Sequence, residues 1–279
     1  MSAATMQRRR RRWPLARVIP LVIVAFWAAV AAFGPFFAPY AEGTVVSHDI
    51  FGPATAAFPL GTDYLGRDML SRVLVGARDT IGIALLATAL ACLAGTTLAL
   101  CAAARGGWTD AVMSRAVDAL ISVPSLLFSM VVIAALGSSI PVLVATAAVI
   151  YTPGAYRTAR ALAVNIAAMD FVRVARARGE RTSFIMRDEI LPNMLLPLFT
   201  DFGLRFVYVV LLLSGLSFLG LGIQPPYADW GSLVRENIEG LAYGAPAVIM
   251  PAVAIATLTA SVNLLIDGLS GPRHDVHAR

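Results

Sequence analysis

Few side chains in this sequence could do chemistry of their own. None of the 279 residues is lysine, so all 22 basic residues are arginine. A P-loop needs a lysine to reach nucleotide phosphates and a Schiff base needs a lysine amine, so both are excluded. His48, His274 and His277 all lie outside the apolar runs. An intramembrane serine protease would need a histidine beside its serine, so Ser214 and Ser217 read as helix-packing residues. A metal-dependent lipid-headgroup transferase would need clustered carboxylates at a helix end, and no such cluster is present. Cys92 and Cys101, nine residues apart, fall on opposite sides of a helix and read as small packing residues. His274 and His277 have a spacing that could share a helix face, but a flexible tail is the simpler reading. No metal or other cofactor is expected. One charged pair remains at the edge of an apolar run: Asp201 and Arg205, four residues apart and so on one helix face. Two readings stay open. Either the pair lines a polar path or a helix contact, or Arg205 sits at the inner interface and snorkels.

The elements that must position these residues are membrane helices. Hydrophobic residues make up 58% of the chain and charged ones 14%, with a mean hydropathy of +0.75. Soluble domains carry about 25% charged residues, so the composition points to a multi-pass membrane protein. Runs without charge cover 18–41 and 80–104. The run 119–156 would measure about 57 Å as one helix, too long for one crossing. Gly137-Ser138-Ser139 and Pro141 break it, so it reads as a helical hairpin. Two more spans cover 206–228, starting upstream near Met194, and 243–266. The expected fold is all-α and polytopic, with six transmembrane helices.

The arginine block at 8–12 could begin a secretory signal or form a nucleic-acid patch. The apolar run behind it exceeds the h-region of a signal peptide, so a retained anchor is expected, with no nucleic-acid partner. With both termini inside, inner segments hold 17 arginines and outer segments four, which sets a cytoplasmic N- and C-terminus. The expected layout is a basic N-terminus at 1–17, a first span at 18–41 and an outer loop at 42–79. That loop ends in an amphipathic helix from Asp68 to Asp79. A five-helix membrane domain fills 80–266, with an inner loop at 158–192 and an outer loop at 223–242, and 267–279 forms a cytoplasmic tail. The outer loop 223–242 carries Pro225-Pro226, Trp230 and an expected interfacial helix through Ile238, a composition suited to a membrane boundary.

The inner loop has the most regular pattern. Residues 171–178 read as a short helix with Arg173 and Arg176, and with Phe171, Val174 and Ala175 clustered beside them. Gly179 can end it in a left-handed conformation. Thr182 or Ser183 can cap a second short helix that stops before Pro192. Two short helices joined at a glycine form a firm knob; an ordinary solvated loop would need none of these features.

Here the chain resembles a family. Ala175, Gly179, Leu191 and Pro192 stand where permeases of binding-protein-dependent ABC importers carry their Glu-Ala-Ala…Gly…Ile-x-Leu-Pro loop. The segment Pro59-Leu60-Gly61-Thr62-Asp63-Tyr64-Leu65-Gly66-Arg67-Asp68, continuing to Leu70-Ser71-Arg72, is similar to the signature of the oligopeptide/dipeptide/nickel branch. Leu216-Ser217-Phe218-Leu219-Gly220-Leu221-Gly222, with Gln224-Pro225-Pro226 and Trp230-Gly231, is similar to the stretch before that branch's last helix. The sequence departs from the family at Arg173-Val174, at Glu189, at Leu213 and in its Gly271-Pro272-Arg273 ending.

The resemblance implies the permease subunit of an ATP-driven importer in a bacterial inner membrane, moving peptides. Nickel or other metal chelates and opine-like conjugates are alternatives within the branch. A standalone secondary transporter is the rival from another class, but no internal repeat supports it. The resemblance also implies a related second permease, two cytosolic ATP-binding subunits and an extracytoplasmic solute-binding protein. ATP would bind the partners, and this chain would not itself be an enzyme. Phe171, Arg173, Ala175, Arg176, Gly179, Glu189, Leu191 and Pro192 would form the loop that couples to the ATPase. Gly61, Thr62, Asp63, Gly66, Arg67 and Asp68 would form the outer signature.

Overall fold

Hydrocarbon offers backbone amides no hydrogen-bond partners, so the apolar runs must satisfy their own, and the α-helix does so locally. A computed structural model describes residues 13–269 of the chain. The helices are α1 (Trp13–Phe37), α2 (Met69–Arg105), α3 (Gly107–Ile121), α4 (Ser125–Leu136), α5 (Ile140–Ala167), α6 (Asp170–Ala177), α7 (Thr182–Phe184), α8 (Leu191–Phe218), α9 (Trp230–Glu236) and α10 (Pro246–Leu269). A π-helical segment, Ile185–Ile190, joins α7 to α8, and a 3₁₀ segment, Ile238–Tyr243, follows α9. Among the described residues there is no strand, only the isolated bridges Val45–Arg67 and Thr62–Asp68. The fold is all-α.

Among the described residues four helices are long and apolar enough to cross a membrane: Arg17–Phe37, Met69–Arg105, Thr182–Phe218 and Pro246–Gly268. The pair α3 and α4, bent by 82°, makes a fifth if it counts as one broken span. Helix α5 has 28 residues, but Tyr151, Pro153, Tyr156, Arg157 and Arg160 dilute its apolar character. The expected hairpin over 119–156 is corrected in its first arm. That arm is not one helix, because α3 ends at Ile121 and α4 starts at Ser125. Pro124 lacks an N–H and disfavours helical backbone at Val123, which separates the two. The second break falls at Gly137, and α5 begins with Pro141 in its first turn, where a missing N–H costs nothing. The expected helix over 68–79 does not stand alone: α2 continues through it for 37 residues.

The chain forms two compact units: Met1–Ile81 with Pro225–Arg279, and Gly82–Gln224. The first contains α1, the 38–68 segment, the start of α2, α9 and α10. In it α1 lies against α10, and Trp27 Nε1 donates to Thr257 Oγ1 at 3.0 Å. The second contains the rest of α2 and α3 through α8. The arginine block at 8–12, His274, His277 and the rest of the tail beyond 269 lie outside the described residues.

Candidate functional site

The loop between α5 and α8 in the second unit is built on one short amphipathic helix, α6. Asp170 in the first turn of α6 and Arg176 in the last complement the helix dipole. Val172 and Ala175, three residues apart, are buried together with Ala159, Ala163 and Ile166 of α5, Ile185 and Ile190 of the π segment, and Met194 of α8. The other face exposes Phe171 and Val174 among Arg173, Arg176 and Arg178. The expected grouping of Ala175 with Phe171 and Val174 is thus corrected: Ala175 is 1% exposed and turns inward. The small side chain lets α6 approach α5 closely.

Gly179 has φ +79°. Its N–H donates to Arg176 O at 3.0 Å, and Glu180 N–H donates back to Ala175 O at 3.2 Å, closing α6. A Cβ at Gly179 would meet nothing within 4 Å, so the demand for glycine there is one of backbone conformation alone. Neither Thr182 nor Ser183 caps the next helix. Arg181 holds that position in extended backbone, with no side-chain cap, and residues 181–184 are exposed, so water can serve the free N–H groups.

Pro192 does not stop the helix either. The chain passes from α7 through Ile185–Ile190 into α8, and Leu191 N–H bonds to Met186 O, five residues back. A proline ring crowds the carbonyl four residues before it and supplies no N–H. The wider π turn removes that conflict, so the helix continues where a stop was expected. Glu189 and Leu191 are half-buried, and Pro192 is exposed.

Helices α5 and α8, which flank this loop, are joined by Arg205. It is 8% exposed. Its Nε donates to Asp201 Oδ2 at 2.6 Å, and Nη2 donates to Asp201 Oδ1 at 2.9 Å and to Thr158 Oγ1 at 3.2 Å. Nη1 lies 3.4 Å from the Tyr151 carbonyl. Arg205 therefore makes a contact between α8 and α5. On the far side of α5, Asp110 of α3 pairs with Arg160, and Ser114 Oγ and Tyr156 Oη are 2.9 Å apart.

The outer signature belongs to the first unit, where it forms a buried ionic network. Asp63 Oδ2 accepts from Arg67 Nε and Arg72 Nη1, both at 2.6 Å. Glu236 Oε2 of α9 accepts from Arg72 Nη1 at 2.9 Å and Arg67 Nη2 at 3.2 Å. Asp63 Oδ1 takes the backbone N–H of Leu65 and Arg67. Asp68 caps α2, accepting from Ser71 N at 2.8 Å and Ser71 Oγ at 2.6 Å. Gly66 has φ +74°, and a Cβ there would stand 2.1 Å from Ser47 O. Gly61 and Thr62 are buried, and Thr62 Oγ1 donates to Asp49 O and accepts from Gly52 N.

Sequence reasoning had Arg72 in the signature segment but missed Glu236 as a member of this network. Arg72 sits one turn after Asp68, but Glu236 lies far along the chain, and no local pattern pairs it with the signature. It also missed Glu42, whose carboxylate accepts from Ala228 N at 2.6 Å, and Asn237, which accepts from Tyr64 N at 3.1 Å. Trp230, in the segment whose composition suits a membrane boundary, packs inside the fold. It is fully buried, donates Nε1 to Val73 O at 3.1 Å, and meets Trp27 edge-on at 4.8 Å. Among the described residues no group of three metal-ligating side chains comes together.

Residues 93–271 match the family described as binding-protein-dependent transport system inner membrane component. The chain belongs to this family. It is 31% identical over 254 residues to the glutathione transport system permease protein GsiD of Pectobacterium atrosepticum, covering 90% of this chain and 82% of the relative. It is 31% identical to the dipeptide transport system permease protein DppC of Alkalihalophilus pseudofirmus, covering 90% and 83%. A putative peptide transport system permease protein of Brucella suis is 33% identical over 264 residues, covering 94% and 86%. Among solved structures, an amino acid ABC transporter with histidines shares the fold at a TM-score of 0.50 and 18% identity, over 71% of this chain and 91% of that one. The chain is thus an ABC importer permease and an integral inner-membrane protein. The family match takes in α6, Gly179 and Arg205, while the outer signature lies before it.

Proposed function

We propose that this permease carries peptides inward as half of a translocation path, paired with a related second permease chain. Two cytosolic ATP-binding subunits and an extracytoplasmic solute-binding protein complete the importer. The names of its relatives, which carry glutathione, dipeptides and peptides, support the substrate class. ATP hydrolysis belongs to the partners, in keeping with a chain that has no lysine for a P-loop. The chain crosses the membrane six times, with α3 and α4 as one broken crossing and both termini in the cytoplasm.

The observation that carries this reading is the construction of the 168–190 loop. One face of α6 is locked into the core through Val172 and Ala175, and the other presents Phe171 and Val174 ringed by arginines. An exposed apolar pair on a rigid, basic knob fits a groove on another protein better than it fits water. Docked there, the knob would pass closure of the ATPase subunits to α5 and α8 as a rigid-body tilt.

Gly179→Val tests the loop. A β-branched residue is strained at φ +79°, by about 1–2 kcal/mol, and would turn α6 away from its seat. The variant should reach normal membrane level, lose most co-purification with the ATPase subunits, and import little. Wild-type uptake and association would refute the coupling role. For topology, single cysteines at Ser183 and Tyr227, in a background lacking Cys92 and Cys101, should react with an impermeant thiol reagent from opposite sides. Both positions are exposed. Labelling from the same side would overturn six crossings.

A further inference from the structure

The two helices that carry the coupling loop, α5 before it and α8 after it, are held together by a polar clamp that no apolar packing requires. Arg205 projects from α8, is neutralised on its own helix by Asp201 one turn away, and spends its remaining donors on α5. There it meets two acceptors from residues two turns apart, the Tyr151 carbonyl and Thr158 Oγ1. Thr158 Oγ1 in turn donates to Gly154 O at 3.3 Å, so acceptor and helix backbone are tied together. Between them Gly154 opens the notch: a Cβ there would lie 2.4 Å from Arg205 Nη1. Three residues away from Gly154, the Tyr151 hydroxyl reaches across to the Tyr208 carbonyl of α8 at 2.9 Å. A largely buried ion pair is costly unless its geometry is complete, and here the carboxylate takes two bonds from one guanidinium.

We infer that Arg205, seated on Asp201, Gly154 and Thr158, is a positioning residue that makes α5, the coupling loop and α8 move as one body. The inference rests on the coupling role proposed above and adds to it. A knob rooted in two helices that can slide apart would absorb the ATPase stroke in its own roots. Clamped roots pass it on. The guanidinium matters for its planar fork, which can face a carboxylate and a neighbouring helix at once; an ammonium is a point charge and cannot hold all the acceptors together.

The test measures ATP hydrolysed per peptide imported, in the reconstituted importer with all its subunits, a ratio that a change in folded amount alone leaves untouched. Arg205→Gln and Gly154→Ala should each raise that ratio several-fold at near-normal membrane level. The second keeps both charges and only closes the notch. Arg205→Lys should fall between them and the parent. A short bifunctional thiol reagent supplies a second readout: in a background lacking Cys92 and Cys101, cysteines at Thr158 and Arg205 should be bridged by it in the resting importer and, once joined, leave the ratio at its parent value. An unchanged ratio in both Arg205→Gln and Gly154→Ala, with or without a loss of membrane level, overturns the clamp. If those two variants behave as the parent while Gly179→Val still uncouples, the clamp alone has failed. If Gly179→Val also imports normally, the coupling reading has failed with it.

Discussion

Arginine serves opposite ends in the two units. In the first, Arg67 and Arg72 are 4% and 0% exposed and share two carboxylates, Asp63 and Glu236, so that charge is consumed inside the fold. In the loop of the second, Arg173 and Arg178 are 70% and 61% exposed and make only 3.6 Å pairs with Asp170 and Glu180. The first arrangement locks a segment without regular structure onto α2 and α9. The second leaves positive charge at the surface. Arginine count alone does not distinguish them; the burial of the carboxylates they meet does.

The sharpest way to break this contrast is to remove the shared carboxylate. Asp63→Ala leaves two buried guanidinium groups short of their best acceptor and should destabilise the first unit by about 3–5 kcal/mol. Thermal unfolding in detergent and the level in the membrane should both fall. A variant as stable as the parent would mean that water already screens the network.

A smaller effect separates the two left-handed glycines. Gly66→Ala meets both an unfavourable φ and the Ser47 carbonyl, and should cost at least about 1–3 kcal/mol. Gly179→Ala meets no neighbour and should cost about 1 kcal/mol. Equal melting temperatures for the two alanine variants would remove the distinction between a packed turn and an open one.

The pH dependence of the first unit sharpens the comparison further. Burial lifts the Glu42 carboxyl from 4.5 to about 7, against the Ala228 N–H and the charges of Arg72 and Arg67, with Asp79 pushing the same way as burial. The folded state therefore binds this proton more tightly than the unfolded chain does. Its contribution is full below pH 4.5 and is lost as pH rises through 7. Glu42→Gln keeps an acceptor for Ala228 and removes the titration, so its melting temperature should fall less than the parent's across that window. Parallel curves would show that Glu42 is solvated. The smallest effect belongs to the exposed loop: Asp170→Asn should leave the melting temperature unchanged within error, as exposed ion pairs contribute about 0–1 kcal/mol.

What the sequence made legible follows the range of the forces involved. Charge-free runs, the break at Gly137 and the left-handed turn at Gly179 are written in neighbouring residues, and each is where local chemistry puts it. The inward turn of Ala175 depends on which helix lies behind α6. The burial of Trp230 depends on Trp27 and Val73, and the network depends on Glu236, which is 169 residues from Arg67. No local pattern encodes such meetings. Pro124 and Pro192 show the limit from the other side. The same residue type ends α3 before α4 begins in one case and is carried through a helix by a π turn in the other.

That π turn has a consequence for how the loop joins α8. Ile185–Ile190 holds one residue more than an α-helix would need to cover the same rise. Removing a single residue from it would let the backbone close into ordinary α-helix with the flanking turns in nearly their present phase, and the ring of Pro192 would then crowd the carbonyl four residues before it. The continuity between the loop and α8 is thus stored as a residue count, and a scan that only exchanges side chains would pass over it unseen.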